Sequence, residues 1–402
     1  MNETTVFPYE DPSFVADPFP FYKALQEQGP VHPVAMPNGL QAWLVTHYDD
    51  VLAAFSDPRL SSSLSDATDP GLLEQLPQRG ALRRSMLRAN PPDHTRLRRL
   101  VSKVFTARRV AELRPRIQDI TDRLLDAVIP AGRADLIEDF ALPLPVTVIS
   151  ELLGVPADDR DGFREWTNTM LAQRTGPPDP ARMDQAWDQM RSYLEKLLAA
   201  KRAQPGDDLL SALTAARDEE HSLDEEELVA MAFLLLVAGY ITTVNLIGSG
   251  VADLLAHPDQ LKLLRDDPDL LPGAIEEFLR YDGPVNPGIA RFATEDVEIG
   301  GVTIPRGATV LVATAIADRD PAQFPSPHRL DVTRADNAHL AFGHGIHFCL
   351  GAPLARLEGQ IAIGTVLRRL SDLALAVPFG ELQWQVASLR GPKHLPVTFT
   401  PS

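Results

Sequence analysis

Apolar residues recur at intervals of three and four along most of this 402-residue chain, the spacing of helices with one buried face, and alternate only in short runs. The stretch D-P-F-P-F-Y-K-A-L-Q-E-Q, residues 17–28, predicts a first helix that Gly29-Pro30 stops. Strands follow at 31–35 and 42–46 across a P-N-G turn, then a short helix over 48–55. Residues 61–90 show no period, and a connection this long is as a rule functional or mobile. At Asn90-Pro91-Pro92-Asp93 a helix starts, with proline in its first turn and an acid at the positive dipole end. It places Leu97, Leu100, Val101 and Val104 on one face, and His94 and Arg98 four apart on a stripe. Helical patterns continue over 107–128, 142–153, 158–171 and 182–202, separated by Pro/Gly turns.

Ser222-Leu223-Asp224-Glu225 reads as a capping box with Ser222 at the cap, opening a helix to about Ala256 that would run about 50 Å. From Leu228 to Gly248 it carries no charge, which meets a membrane-spanning length. Its flanks are acidic, no Lys or Arg gathers beside it, and Thr242, Thr243 and Asn245 lie near its middle, so a buried central helix is the better reading. Beyond Pro284 the pattern turns strand-like over 285–292, 297–299 and 309–312; a last helix runs to about Leu370, and strands broken at Gly391-Pro392 fill 373–399. The sum is a mainly α chain with small β-sheets, an α+β class. No linker or repeat divides it, so residues 1–402 read as one domain despite a length above the usual limit of a single core.

The N-terminus has neither a basic segment nor an apolar one, and a single cysteine excludes an internal disulfide; both suit a cytoplasmic protein. A net charge of −17 argues against general nucleic-acid binding. Against that background residues 83–109 hold nine Lys/Arg and one acid, Asp93. Such a run is most often a solvated helical face.

The one cysteine, Cys349, stands in F-G-H-G-I-H-F-C-L-G, Phe342 to Gly351, between glycines and ahead of a helical run. Glycines let the backbone pass close to a flat ligand, and the helix start offers N–H groups and a positive dipole end to a thiolate. A thiolate so held is a known axial ligand of haem iron; a lone cysteine without these glycines would read as a buried small hydrophobe.

The segment resembles the haem-binding loop of the cytochrome P450 superfamily, F-G-x-G-x-H/R-x-C-x-G. That resemblance implies a triangular helical prism around a long central helix, with haem b as cofactor and Cys349 as ligand to its iron. Phe342, Gly343 and Gly351 would frame the haem, and His94, Arg98, Arg291 and His347 would hold its propionates. In the central helix A-G-Y-I-T-T resembles the family's A/G-G-x-D/E-T-T/S: Ala238, Gly239 and Thr242 match, and Ile241 stands where the proton-delivering acid belongs. Thr-Thr in a helix otherwise reads as hydroxyls bonded back to the preceding turn. Glu277 and Arg280 match E-x-x-R, with Arg329 expected as third member of a structural network.

The implied reaction inserts one oxygen atom from O2, by hydroxylation or epoxidation, into a bulky lipophilic substrate, with macrolides and other polyketides of secondary metabolism as the expected class. Electrons would come from NAD(P)H through a reductase and an acidic ferredoxin docking on Arg96, Arg99 and Lys103, and the protein would act as a monomer. Leu235, Ala238, Ile241, Val285 and Ile289 would line the pocket, with the 61–90 loop, a lid over 158–190 and the turn 390–393. Because Ile241 cannot relay a proton, a haem-thiolate enzyme that uses peroxide or performs rearrangement or coupling is one alternative; a haem-thiolate sensor or carrier without turnover is the other.

Overall fold

A computed structural model describes residues 4–401 apart from 37–38, 40, 68–83, 172–179, 217–222 and 387. Much of the expected loop over 61–90, part of the lid and Ser222 lie outside the described residues.

The central helix is built in two segments, Glu225–Ala238 and Ile241–Ala256. Its cap is Asp224, whose side chain accepts from the Glu227 N–H at 2.8 Å while the Asp224 N–H donates to the Glu227 carboxylate at 3.0 Å. The capping box therefore sits two residues beyond the expected Ser222, because Asp caps as well as Ser and has Glu in the third helical position behind it. At Gly239-Tyr240 the helix is interrupted. Thr242 Oγ1 donates to Ala238 O at 2.8 Å and Thr243 Oγ1 to Gly239 O at 3.3 Å, so hydroxyls satisfy carbonyls that the broken ladder releases. Across Glu225–Ala256, 72% of the most apolar window is buried inside the protein, so the uncharged run is core.

The helices Arg114–Val128 and Ala352–Arg369 pack together, and the latter also lies along Ile241–Ala256. Gly359 permits the approach: a Cβ there would come within 3.2 Å of Leu246 and 3.4 Å of Ile275. The six-stranded sheet joins Thr5–Val6, Val31–Ala35, Gln41–Val45, Thr309–Val312, Ile289–Ala293 and Leu60–Ser61 in that order. Two apolar clusters flank it, and a third and larger one fills the helical body.

Several boundaries move. The pattern over 107–128 divides into Ala107–Glu112 and Arg114–Val128, with Pro115 in the first turn of the second helix. The strand expected over 285–292 begins only at Ile289. Gly391-Pro392 lies within a strand, Arg390–Pro392, rather than breaking one, and that strand is buried against the central helix. The helices Leu209–Ala215 and Pro258–Asp266 are short and had no distinct signal.

Candidate active site

The cysteine loop is shaped by two glycines in left-handed conformation, Gly343 and Gly345, each at φ 69°. Between them and the helix Ala352–Arg369 the chain makes a tight turn over Gly345–His347, and the Cys349 N–H donates to Phe342 O at 2.9 Å. Burial pushes the Cys349 thiol up, while the N–H groups of Gly351 and Ala352 and the nearby cations Arg98 and Arg356 oppose it. The loop is thus set to hold charge on sulfur once a metal compensates the burial, since metal binding deprotonates a thiol. Arg356 also lies 4.6 Å from the centre of the Phe342 ring.

Four residues expected to act together converge beside this loop. The rings of His94 and His347 are 4.2 Å apart. Burial lowers His94, with Arg98 and Arg291 adding to the effect. Burial lowers His347 further, to about 3, reinforced by Arg291, His94, Arg98 and Arg88. Arg291 is itself pushed down to about 10 by burial and then by Arg88. Arg98 and Arg291 act on both histidines, and Arg88 acts on His347 and Arg291, so the cluster holds an excess of positive charge and calls for an anion. His94 Nε2 is buried without a hydrogen-bond partner among the described residues. Sequence reasoning missed Arg88, which burial lowers, and Ser62, whose hydroxyl meets His347 Nε2 at 2.9 Å. Arg88 was hidden in a basic run with no period; Ser62 had no signal.

Glu277 and Arg280 are buried and paired at 2.7 Å. The third member of the network is Arg334, the second cation on Glu277 at 3.0 Å, and not Arg329. Arg329 is exposed and supplies its backbone carbonyl to Arg280 at 3.2 Å. Arg280 also donates to the carbonyls of Asp318 and Pro327, tying down the meander that leads into the cysteine loop. Next to it, Glu276 bonds Arg356 of the cysteine helix and His339. Burial raises its carboxyl, but these bonds outweigh burial and hold it at about 2.

Beside the helix interruption Ala238 is exposed and Leu235, Gly239 and Thr242 are partly exposed, as are Val285 and Ile289. Ile241 is different: it is 4% exposed and belongs to the core, so it does not line the pocket. The strand Arg390–Pro392 is likewise buried, against expectation. Sequence reasoning also missed Glu358, fully enclosed on the cysteine helix, which burial raises to about 8 despite its bond with Thr243. Its Oε2 has no hydrogen-bond partner among the described residues. On the basic helix, Arg96 is tied to Glu227 in a largely buried pair, which removes it from the expected docking face; Arg99 and Lys103 are exposed.

Residues 168–374 match the family profile described as Cytochrome P450. The chain is 53% identical over 388 residues to cytochrome P450 monooxygenase PikC of Streptomyces venezuelae, covering 96% of this chain and 91% of that one. This chain belongs to the cytochrome P450 family. It is 46% identical over 407 residues to 6-deoxyerythronolide B hydroxylase of Saccharopolyspora erythraea, covering 98% and 99% of the two chains. Among solved structures, the Bacillus subtilis bacillaene polyketide synthase cytochrome P450 PksS matches with TM-score 0.91 at 40% identity, over 98% of this chain and 100% of that one.

The P450 fold expected from the cysteine loop is therefore the fold adopted, and the protein is a P450 monooxygenase that binds haem b through a cysteine thiolate. Cys349 is its only cysteine. The residues present fit the cofactor: an anion-demanding cluster with an orphaned His94 nitrogen stands beside the thiol, and carboxylates such as propionates match those donors.

Proposed function

We propose that this P450 inserts one oxygen atom from O2, by hydroxylation or epoxidation, into a bulky lipophilic substrate of the polyketide class, macrolides included. The observation that carries the reading is that Leu235, Ala238, Val285 and Ile289, the apolar residues expected at the pocket, are each exposed or partly exposed. The relatives named for 6-deoxyerythronolide B and for a bacillaene polyketide synthase support the class.

Bound haem supplies O–O cleavage and oxygen transfer, favoured by the thiolate ligand. The chain's own residues do the rest. Cys349 holds the iron; His94, Arg98, Arg291 and His347, joined by Arg88, hold the two propionates. Gly239 and Ala238 leave room at the helix break, where Thr242 presents its hydroxyl. The apolar side chains of Leu235, Ala238, Val285 and Ile289 orient substrate and exclude water. Glu358, raised to about 8, keeps a proton at neutral pH beside Thr243, and this pair supplies the proton that Ile241 cannot. An acidic ferredoxin, reduced by NAD(P)H through its reductase, docks near Arg99 and Lys103, with exposed Ile346 and Phe348 of the cysteine loop as apolar contacts. The protein works as a cytoplasmic monomer.

The test is turnover of a macrolide panel with reductase, ferredoxin, NAD(P)H and isotopically labelled O2. One labelled oxygen atom in the product supports the reading. Turnover with peroxide alone and none with the electron chain would refute it in favour of a peroxide-using enzyme.

A further inference from the structure

The second segment of the central helix, Ile241–Ala256, carries Asn245, Ser249 and Asp253 at four-residue intervals, which puts them on one stripe. They are 0%, 2% and 3% exposed. Asn245 Nδ2, Asn245 Oδ1, Ser249 Oγ and Asp253 Oδ2 are all buried, and none has a hydrogen-bond partner among the described residues. Folded proteins pair roughly 90% or more of their buried polar groups, so four orphaned atoms on three neighbouring side chains require a partner. The strand Arg390–Pro392 covers the stripe. The Gly391 backbone lies against the Asn245 amide, where any Cβ would collide with it, and Arg390 is paired with Asp282 at 2.7 Å.

We propose that ordered water is bound along this stripe as a permanent part of the folded enzyme, one molecule bridging Asn245 to Ser249 and another bridging Ser249 to Asp253. Side chains four apart on a helix stand about 5–6 Å from each other. A water making two hydrogen bonds of about 2.8 Å spans that distance. The donors and acceptors also balance. The Asn245 amide offers both kinds, and the Ser249 hydroxyl can give one bond and take others. Burial, and then Asp282, push the Asp253 carboxyl well above the usual range, against the pull of Arg319 and Arg390, and its Oδ2 can share a hydrogen bond with water in either protonation state.

One turn further along the same stripe stands Ile241, apolar and 4% exposed. The proposal stands independently of the substrate reading.

A crystal structure of the holoenzyme at a resolution that shows ordered solvent tests this directly. Water within about 3.2 Å of Asn245, Ser249 and Asp253 side-chain atoms is the expected result. No ordered density there, or pairing of these atoms with protein groups, would overturn it. Thermal unfolding of the holoenzyme adds a second reading that needs no crystals. Ser249→Ala removes the middle partner of both waters and should lower the midpoint by about 2 °C or more. In a dry stripe it removes an unsatisfied hydroxyl, and an unchanged or raised midpoint would count against the proposal. Asn245→Leu should move the midpoint in the same direction.

Discussion

Removing the charge of Glu277 tests how the cysteine loop is held in place. The carboxylate has no exposed surface and accepts from Arg280 at 2.7 and 2.8 Å, the Asp331 N–H at 2.9 Å, Arg334 at 3.0 Å and Asn337 at 3.1 Å. Glu277→Gln keeps the volume and one acceptor oxygen, but it removes the counter-charge of the buried Arg280 guanidinium and sets an amide NH2 against its donors, with the carbonyls of Asp318, Pro327 and Arg329 as the remaining partners. Breaking one side of a buried pair costs about 3–5 kcal/mol, a large part of the stability of most domains. Arg334 is 9% exposed and gives Glu277 one charge-assisted bond, so Arg334→Ala should cost about 1.5–3 kcal/mol. Arg329 contributes only its backbone carbonyl, and Arg329→Ala should stay within about 0.5 kcal/mol. Urea unfolding followed by far-UV circular dichroism, with haem content of each purified variant, reads all three. An Arg329→Ala variant as damaged as Arg334→Ala, or a Glu277→Gln variant of wild-type stability, would refute the reasoning.

Three further outcomes are expected. Glu358→Gln removes the buried proton store beside Thr243 and should lower the fraction of NAD(P)H electrons recovered in product by about a hundredfold with haem content unchanged, the lower end for loss of a general acid; equal coupling in the variant would dismiss Glu358 as the source. Glu276 is held at about 2 against an ordinary 4.5, so its contribution is complete above the ordinary value and fades as pH falls towards 2. That difference is worth roughly 3 kcal/mol, and Glu276→Gln should flatten the acid limb of a stability-versus-pH curve by this amount. Charge reversal at Arg99 or Lys103 should raise the ferredoxin KM several-fold at low salt with little change at high salt, whereas the same reversal with an unchanged KM would place docking elsewhere.

How much was legible depended on how local the physics was. The strand Val31–Ala35 and the cysteine loop are decided by residues adjacent in sequence: alternation and a turn in one case, glycines and a helix start in the other. The cap at Asp224 was misplaced because two acceptable cap residues stand two apart, and Ser, Asp and Asn compete almost equally for that position. Arg334 was missed in favour of Arg329 because which of two arginines reaches a buried carboxylate depends on the course of an irregular meander, and no period constrains it. The burial of Ile241 follows from the helix interruption at Gly239-Tyr240, which turns that side chain into the core while leaving its neighbour Thr242 partly open. The convergence of Arg88, Ser62 and Glu358 on the site joins segments far apart in the chain, so only the folded arrangement reveals it.

The central claim is that Cys349 is the thiolate ligand of a haem held in this fold, and one spectrum tests it. The reduced carbonyl complex of the wild-type protein should show the red-shifted Soret absorption that a thiolate ligand produces, and Cys349→Ala, with haem still bound or with haem lost, should abolish it. Survival of that absorption in the variant would contradict the account.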